Sequence, residues 1–258
     1  MGDIILKVKN LVKTFPGTVA VNNVNFQVEK GEVLGIVGQN GAGKSTLKNL
    51  LCGILRPDKG EIEIQGKKFY YLTPKIARNL GIAAVHQELS LFETLTVAEN
   101  ICITLSDKER ILNKNKVQDI AKDVLSRLGV TIDVDIVVSS LNIGEKQLVE
   151  IAKALYQAKT LLIFDEPTTS LTTSERSRLY DVIKRLKKEG IAIIYISHFI
   201  DEIYELVSKD LNNLQLKNFD LLIENYEKQL KEKDNIIEEF NRIKKLLKKY
   251  EKYEEGIY

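Results

Sequence analysis

The residues best suited to chemistry stand at Gly38-Gln39-Asn40-Gly41-Ala42-Gly43-Lys44-Ser45-Thr46, which fits the pattern G-x-x-x-x-G-K-[ST]. Glycines there allow positive φ and close backbone approach, so consecutive N–H groups can turn inward as an anion nest. A helix starting at the same point adds the positive end of its dipole. In such a loop Lys44 reaches the β- and γ-phosphates of a nucleotide, and Ser45 gives its hydroxyl to Mg²⁺. Three other apolar runs end in polar groups, at His86-Gln87, Asp165-Glu166 and Ser197-His198.

The elements that must position these groups are legible from the apolar pattern. Glu32 to Val37 reads as a buried strand before the loop, and Ser45 to Cys52 has helical spacing after it. Gly81 to Val85, Leu161 to Glu166 and Ile191 to Ile196 read as further buried parallel strands. Ile4 to Val12 and Phe26 to Glu29 alternate as half-exposed antiparallel strands around a turn at Phe15-Pro16-Gly17, and Glu61 to Gly66 follows the same pattern. From Thr96 to about Gly129 the pattern turns helical, with Ile120, Val124, Leu125 and Leu128 as the apolar stripe. A helix to Gln157 opens on Asn142 with Glu145 three residues later, as in a capping box. Ser174 to Glu189 is a charge-rich helix closed by Gly190.

At 258 residues with 44% hydrophobic and 29% charged content, the chain is ordinary globular material for one large α/β domain or two small ones. A net charge of +2 gives no electrostatic case for nucleic acid. Cys52 and Cys102 form no C-x-x-C pair, so two buried thiols and a reducing compartment are expected rather than a disulfide or zinc site. The N-terminus lacks the pattern of a secretory signal, and no apolar run approaches the roughly 20 residues needed to span a bilayer. Beyond Val207 the character changes: eleven basic and eleven acidic residues surround apolar positions spaced by three and four. Residues 208–258 therefore read as a heptad-like helix or helical hairpin, either a solvated helix on its own domain or an intermolecular coiled coil.

With the phosphate loop, Val85 to Phe92, Leu95 to Ile101, Val149 to Leu155 and Tyr195 to His198 in this order, residues 4–206 resemble the ATP-binding subunit of ABC transporters. Within that superfamily they look most like the monosaccharide importers of ribose and galactose type. The resemblance implies an α/β P-loop ATPase fold with an antiparallel β subdomain and a helical subdomain inserted at about 96–157. It divides the chain into an ATP-binding domain, 1–207, and the tail, 208–258.

By the same resemblance Asp165 holds Mg²⁺ together with Ser45 and Gln87, and Glu166 is the general base that orients and polarises the attacking water. His198 hydrogen-bonds the γ-phosphate and the water; Gln87 contacts Mg²⁺ or the water, and its loop senses a docked permease. Phe15 matches the aromatic that stacks on adenine. Leu141-Asn142-Ile143-Gly144-Glu145 stands where the family most often has Leu-Ser-Gly-Gly-Gln, the segment that caps the γ-phosphate held by another subunit. Asn142 and Gly144 are its candidate contacts, while Glu145 brings an unwelcome negative charge unless it faces away. Thr169-Ser170-Leu171-Thr172 ends in Thr where many relatives have Asp.

Implied partners are a second ATP-binding subunit or half, a transmembrane sugar permease and, indirectly, an extracytoplasmic sugar-binding protein. The implied location is the cytoplasmic face of the cell membrane. Family members of this type carry two ATPase halves in a chain of about twice this length, and this sequence holds one. The other readings are a soluble ABC ATPase of translation-factor kind and an ATP-binding remnant acting through its tail. The extent of the sugar-importer-like segments favours import.

Overall fold

The computed structural model describes residues 2–103, 114–169, 171–199, 202, 203 and 206, and every statement below concerns these. The segment expected to form a heptad-like helix, 208–258, lies outside them. In chain order the elements are β1 (Ile4–Phe15), β2 (Thr18–Glu29), β3 (Val33–Val37), α1 (Lys44–Leu51), β4 (Lys59–Ile64), β5 (Lys67–Phe69), α2 (Pro74–Asn79), β6 (Ile82–Val85), α3 (Val97–Cys102), α4 (Lys114–Leu128), α5 (Ile143–Gln157), β7 (Leu161–Asp165), α6 (Thr173–Lys188) and β8 (Ala192–Ser197).

Two four-stranded sheets result. The antiparallel one has the order β2-β1-β4-β5 and the parallel one β3-β8-β7-β6. The hairpin of β1 and β2 runs further than the alternation suggests, up to a Phe15–Thr18 pair around Pro16-Gly17. Register shifts after Val8 and Leu11 explain the difference, because each bulge breaks the period of two on which the alternation depends. Leu6, Val8, Leu11, Val28, Ile62 and Ile64 bury one face of this sheet.

All residues of β7 and β8 are buried, as expected of strands covered on both faces. Their register sets Val37 beside Ser197, Asp165 beside Ile196, and Val85 beside Phe164. All four parallel strands therefore end at one edge. The phosphate loop, His86-Gln87, Asp165-Glu166 and Ser197-His198 leave the sheet together there, where open parallel sheets place their ligands.

In α4 the buried stripe is Ala121, Val124, Leu125 and Leu128, with Ile120 only half-buried. The spacing of three, four and seven from position 121 keeps those four on one face, and Ile120 sits about 100° away. The short helix α2 carries too few apolar positions to show a helical period. It is built on Pro74 in its first turn and on Thr73, whose hydroxyl accepts the Ile76 N–H. No helix among the described residues is long and apolar enough to cross a membrane.

Candidate active site

The loop between β3 and α1 has the geometry of an anion nest. Gly41 and Gly43 take φ of 85° and 91°, and Gly43 is the N-cap of α1. Lys44, the first helical residue, is buried and turns back over the loop: its Nζ donates to the carbonyls of Gly38 at 2.5 Å and Gln39 at 3.0 Å. Asn40, Gly41 and Ser45 are exposed, and Ala42 and Thr46 half-exposed, so the concave side is open to a ligand.

Three of the expected catalytic groups meet above that loop. Lys44 Nζ is 3.6 Å from Glu166 Oε1, and His198 Nδ1 is 3.2 Å from Glu166 Oε2, an ion-pair distance without hydrogen-bond alignment. Glu166 has a φ of 49°, a left-handed backbone that costs a non-glycine residue of order 1 kcal/mol. Two bonds hold it there: its N–H donates to Ile196 O at 2.9 Å, and Thr169 Oγ1 donates to its carbonyl at 2.7 Å. From this position the carboxylate faces both Lys44 and His198.

Asp165, one residue earlier, is 7% exposed and pairs with Lys48, whose Nζ lies 2.6 Å from Oδ2. Lys48 is itself 8% exposed and approaches His86 Nδ1 at 3.4 Å. Burial and, next, the Lys48 charge hold His86 below the ordinary imidazole range. Gln87 follows His86 and is exposed at the same edge. Sequence reasoning missed Lys48. The available signal was its spacing of four from Lys44, which puts both lysines on one helix face.

Two networks, the first of them buried, brace the segments around these groups. Glu202 is 5% exposed and accepts from Thr168 Oγ1 at 2.6 Å and from Ser197 Oγ at 2.7 Å, tying the turn after Glu166 to the strand end before His198. Glu150 on α5 accepts from Ser90 Oγ at 2.7 Å, and Lys153 Nζ donates to Ser90 O at 2.7 Å, which couples the segment after Gln87 to α5. Buried Asn100 holds the next turn by accepting from Phe92 N and donating to Phe92 O.

Asn142 and Gly144 belong to a separate group at the start of α5. The expected capping box is present: Asn142 Oδ1 accepts the Glu145 N–H at 2.9 Å, and Glu145 Oε2 accepts the Asn142 N–H at 3.0 Å. The Glu145 carboxylate is thus folded onto its own backbone, and the Asn142 amide keeps its NH₂ for other acceptors. Gly144 lies close under the carboxylate of Glu175 on α6, which would have to shift if a Cβ were added. Thr172 caps α6, donating through Oγ1 and N–H to Glu175; these bonds, with one from the Gly144 N–H, hold Glu175 below the usual carboxylate range. Threonine at 172 therefore serves the capping role that Asp also performs.

Phe15 lies at the hairpin end, 41% exposed, with Lys13 Nζ 5.6 Å from its ring centre. Of the two thiols, Cys102 is buried and Cys52 half-buried, and burial pushes each up to about 11. Alkylation by iodoacetamide at pH 8 should accordingly run about 10²-fold slower in the native protein than in the chemically unfolded chain, since the thiolate is the nucleophile. Equal rates in the two states would contradict this packing.

The family model described as ABC transporter matches residues 21–169. Ribose import ATP-binding proteins are similar: that of Bacillus licheniformis is 43% identical over 206 residues, and that of Clostridium tetani 45% over 207 residues, each across 79% of this chain. The chain spans 42% and 41% of the length of these two relatives. Among solved structures, an ATP-binding cassette of an ABC transporter in its ADP conformation superposes with a TM-score of 0.69 at 27% identity, covering 79% of this chain and 84% of that one. A component of an ABC transporter complex from Clostridium perfringens gives 0.68 at 31% identity, covering 79% and 82%.

Proposed function

The chain belongs to the ABC transporter ATP-binding family, and from that premise we propose that it hydrolyses Mg-ATP to drive import of a simple sugar, of ribose type, through a membrane permease. The observation that supports this reading best is the meeting of Lys44, Glu166 and His198 above an open anion nest, with Asp165 beside them.

In this mechanism the loop N–H groups and the α1 dipole take the β-phosphate, and Lys44 leaves its two carbonyls for the β- and γ-oxygens. Glu166 accepts a hydrogen bond from water placed in line with the γ-phosphorus and draws its proton as the new P–O bond forms and the bond to the ADP oxygen breaks. His198 holds the γ-phosphate on the other side of that water. Phe15 stacks on the adenine. Asp165, Ser45 and Gln87 are hard oxygen donors of the kind Mg²⁺ takes alongside phosphate oxygens, so this donor set fits the ion. When bound there, the ion neutralises charge developing on the β- and γ-oxygens.

Asn142, through its NH₂, and Gly144, through its N–H, would cap the γ-phosphate of a second ATP-binding half. The Gly144 N–H must then exchange its Glu175 partner for phosphate. The second half is another copy or a related domain, and the permease, with a sugar-binding protein beyond it, docks these ATPases at the inner face of the membrane. The sugar-import ATP-binding proteins that the chain resembles favour this reading over a soluble translation-type ATPase.

A direct test combines Mg-dependent phosphate release with light scattering of the chain in ATP. Release of phosphate and ATP-dependent dimerisation are expected. Absence of both would overturn the proposal, and hydrolysis without dimerisation would remove the shared-site role of Asn142 and Gly144.

A further inference from the structure

Lys48 has no part in the mechanism above, yet it is bonded to Asp165, one of the proposed metal donors, at the edge where the parallel strands end. Its Nζ lies 2.6 Å from Asp165 Oδ2 and 3.4 Å from His86 Nδ1, and His86 immediately precedes Gln87. On α1 it stands three residues after Ser45, a spacing that brings two side chains to the same helix face. Each of the three proposed metal donors is thus bonded to Lys48, adjacent in sequence to a group that Lys48 contacts, or one helical turn from it. The ammonium is buried, so its charge is poorly screened by solvent.

A buried carboxylate without a counter-charge is strongly unfavourable, and Lys48 supplies one to Asp165. Binding of a divalent cation requires Asp165 to share or exchange that partner. We infer that Lys48 is a resident counter-ion of Asp165, which weakens Mg²⁺ binding there and makes nucleotide binding less dependent on the metal. The inference rests on the ATP-site reading given above. Two consequences oppose each other in sign. With Mg²⁺ present, the positive charge of Lys48 competes with the ion for Asp165. Without Mg²⁺, the same charge, one helical turn along α1 from Lys44, offsets part of the negative charge of the triphosphate.

The test measures the affinity of the full chain for a fluorescent ATP analogue by anisotropy, in EDTA and across a Mg²⁺ titration, for the native protein and for Lys48→Met, Lys48→Gln and Lys48→Arg. The ratio of Kd without Mg²⁺ to Kd with saturating Mg²⁺ is expected to rise at least tenfold in Lys48→Met. The Mg²⁺ concentration giving half of the tight complex should fall at least fivefold. Lys48→Arg, which keeps the charge, should stay within threefold of the native ratio. Lys48→Gln keeps a hydrogen-bond donor for Asp165 but no charge, and it decides the matter if the Met variant does not fold. A ratio that is unchanged or lower in the neutral variants, while the native chain binds nucleotide normally, overturns the inference alone. If the native chain binds no nucleotide under either condition, the ATP-site reading falls, and this inference with it.

Discussion

Replacing Glu166 by Gln is expected to lower Mg-ATP hydrolysis by about 10²- to 10⁴-fold, the range in which a positioned general base acts. That corresponds to roughly 3 to 5 kcal/mol of barrier. The change is nearly isosteric. Gln keeps an oxygen able to face Lys44 and His198, and the bonds from Glu166 N–H to Ile196 O and from Thr169 Oγ1 to the residue's carbonyl are unaffected because they use only the main chain of residue 166. What disappears is the charge that draws a proton from water. Nucleotide affinity should hold or rise slightly, since Lys44 loses the carboxylate 3.6 Å away that competes with phosphate for its ammonium. Steady-state phosphate release and fluorescent-ATP binding, measured on the same preparation, check both halves of the expectation. Unchanged turnover would remove Glu166 from the catalytic assignment.

Gly43→Ala should be the most damaging single-methyl change in the phosphate loop. Gly43 has a φ of 91°, and a Cβ there would collide with the carbonyl oxygen of Ala20 on β2. That obstacle is main chain within a sheet, so it has no rotamer by which to yield. Strain and collision together are expected to cost about 3 kcal/mol or more, at the upper end for single substitutions. They should also tilt α1 and reduce nucleotide affinity at least hundredfold. Gly41 is the internal control: its φ is 85°, but a Cβ there meets nothing within 4 Å. Gly41→Ala should cost only the left-handed backbone term, about 1 kcal/mol. Urea unfolding midpoints and nucleotide titrations of the two variants separate these effects. Equal losses at 41 and 43 would show that the approach to Ala20 does not matter.

The contrast between these glycines marks where sequence reading ends. Both stand in the motif and both are candidates for positive φ, yet only the packing of β2 against α1 makes one far more restrictive than the other. Local features were legible because their partners are close in sequence. The capping box of Asn142 and Glu145 spans three residues and forms as read. The apolar runs of β3, β6, β7 and β8 are read to within a residue or so at each end, since strands buried on both faces carry an unbroken signal. The hairpin was underestimated where bulges break alternation, and the stripe of α4 was displaced by one position at Ile120.

From sequence alone followed the chemistry: a phosphate loop, a strand ending in two carboxylates, a histidine after another strand, and a resemblance specific enough to point to sugar-import ATPases. These are properties of residue type and short-range order, which the chain carries before it folds. Tertiary structure decided the electrostatic pairing. Lys48 and Asp165 are separated by 117 positions, Ser90 and Glu150 by 60, and Thr168 and Glu202 by 34, and no periodicity connects such residues. The left-handed backbone of Glu166 likewise depends on a hydrogen bond to β8, and the close approach of Glu175 to Gly144 depends on α6 lying beside the start of α5. Buried charges must find partners wherever the fold brings them, because an unpaired one costs more than most single contacts return. The ammonium resting on Asp165 is therefore a product of the parallel sheet and α1 meeting at one edge, and the motif alone does not contain it.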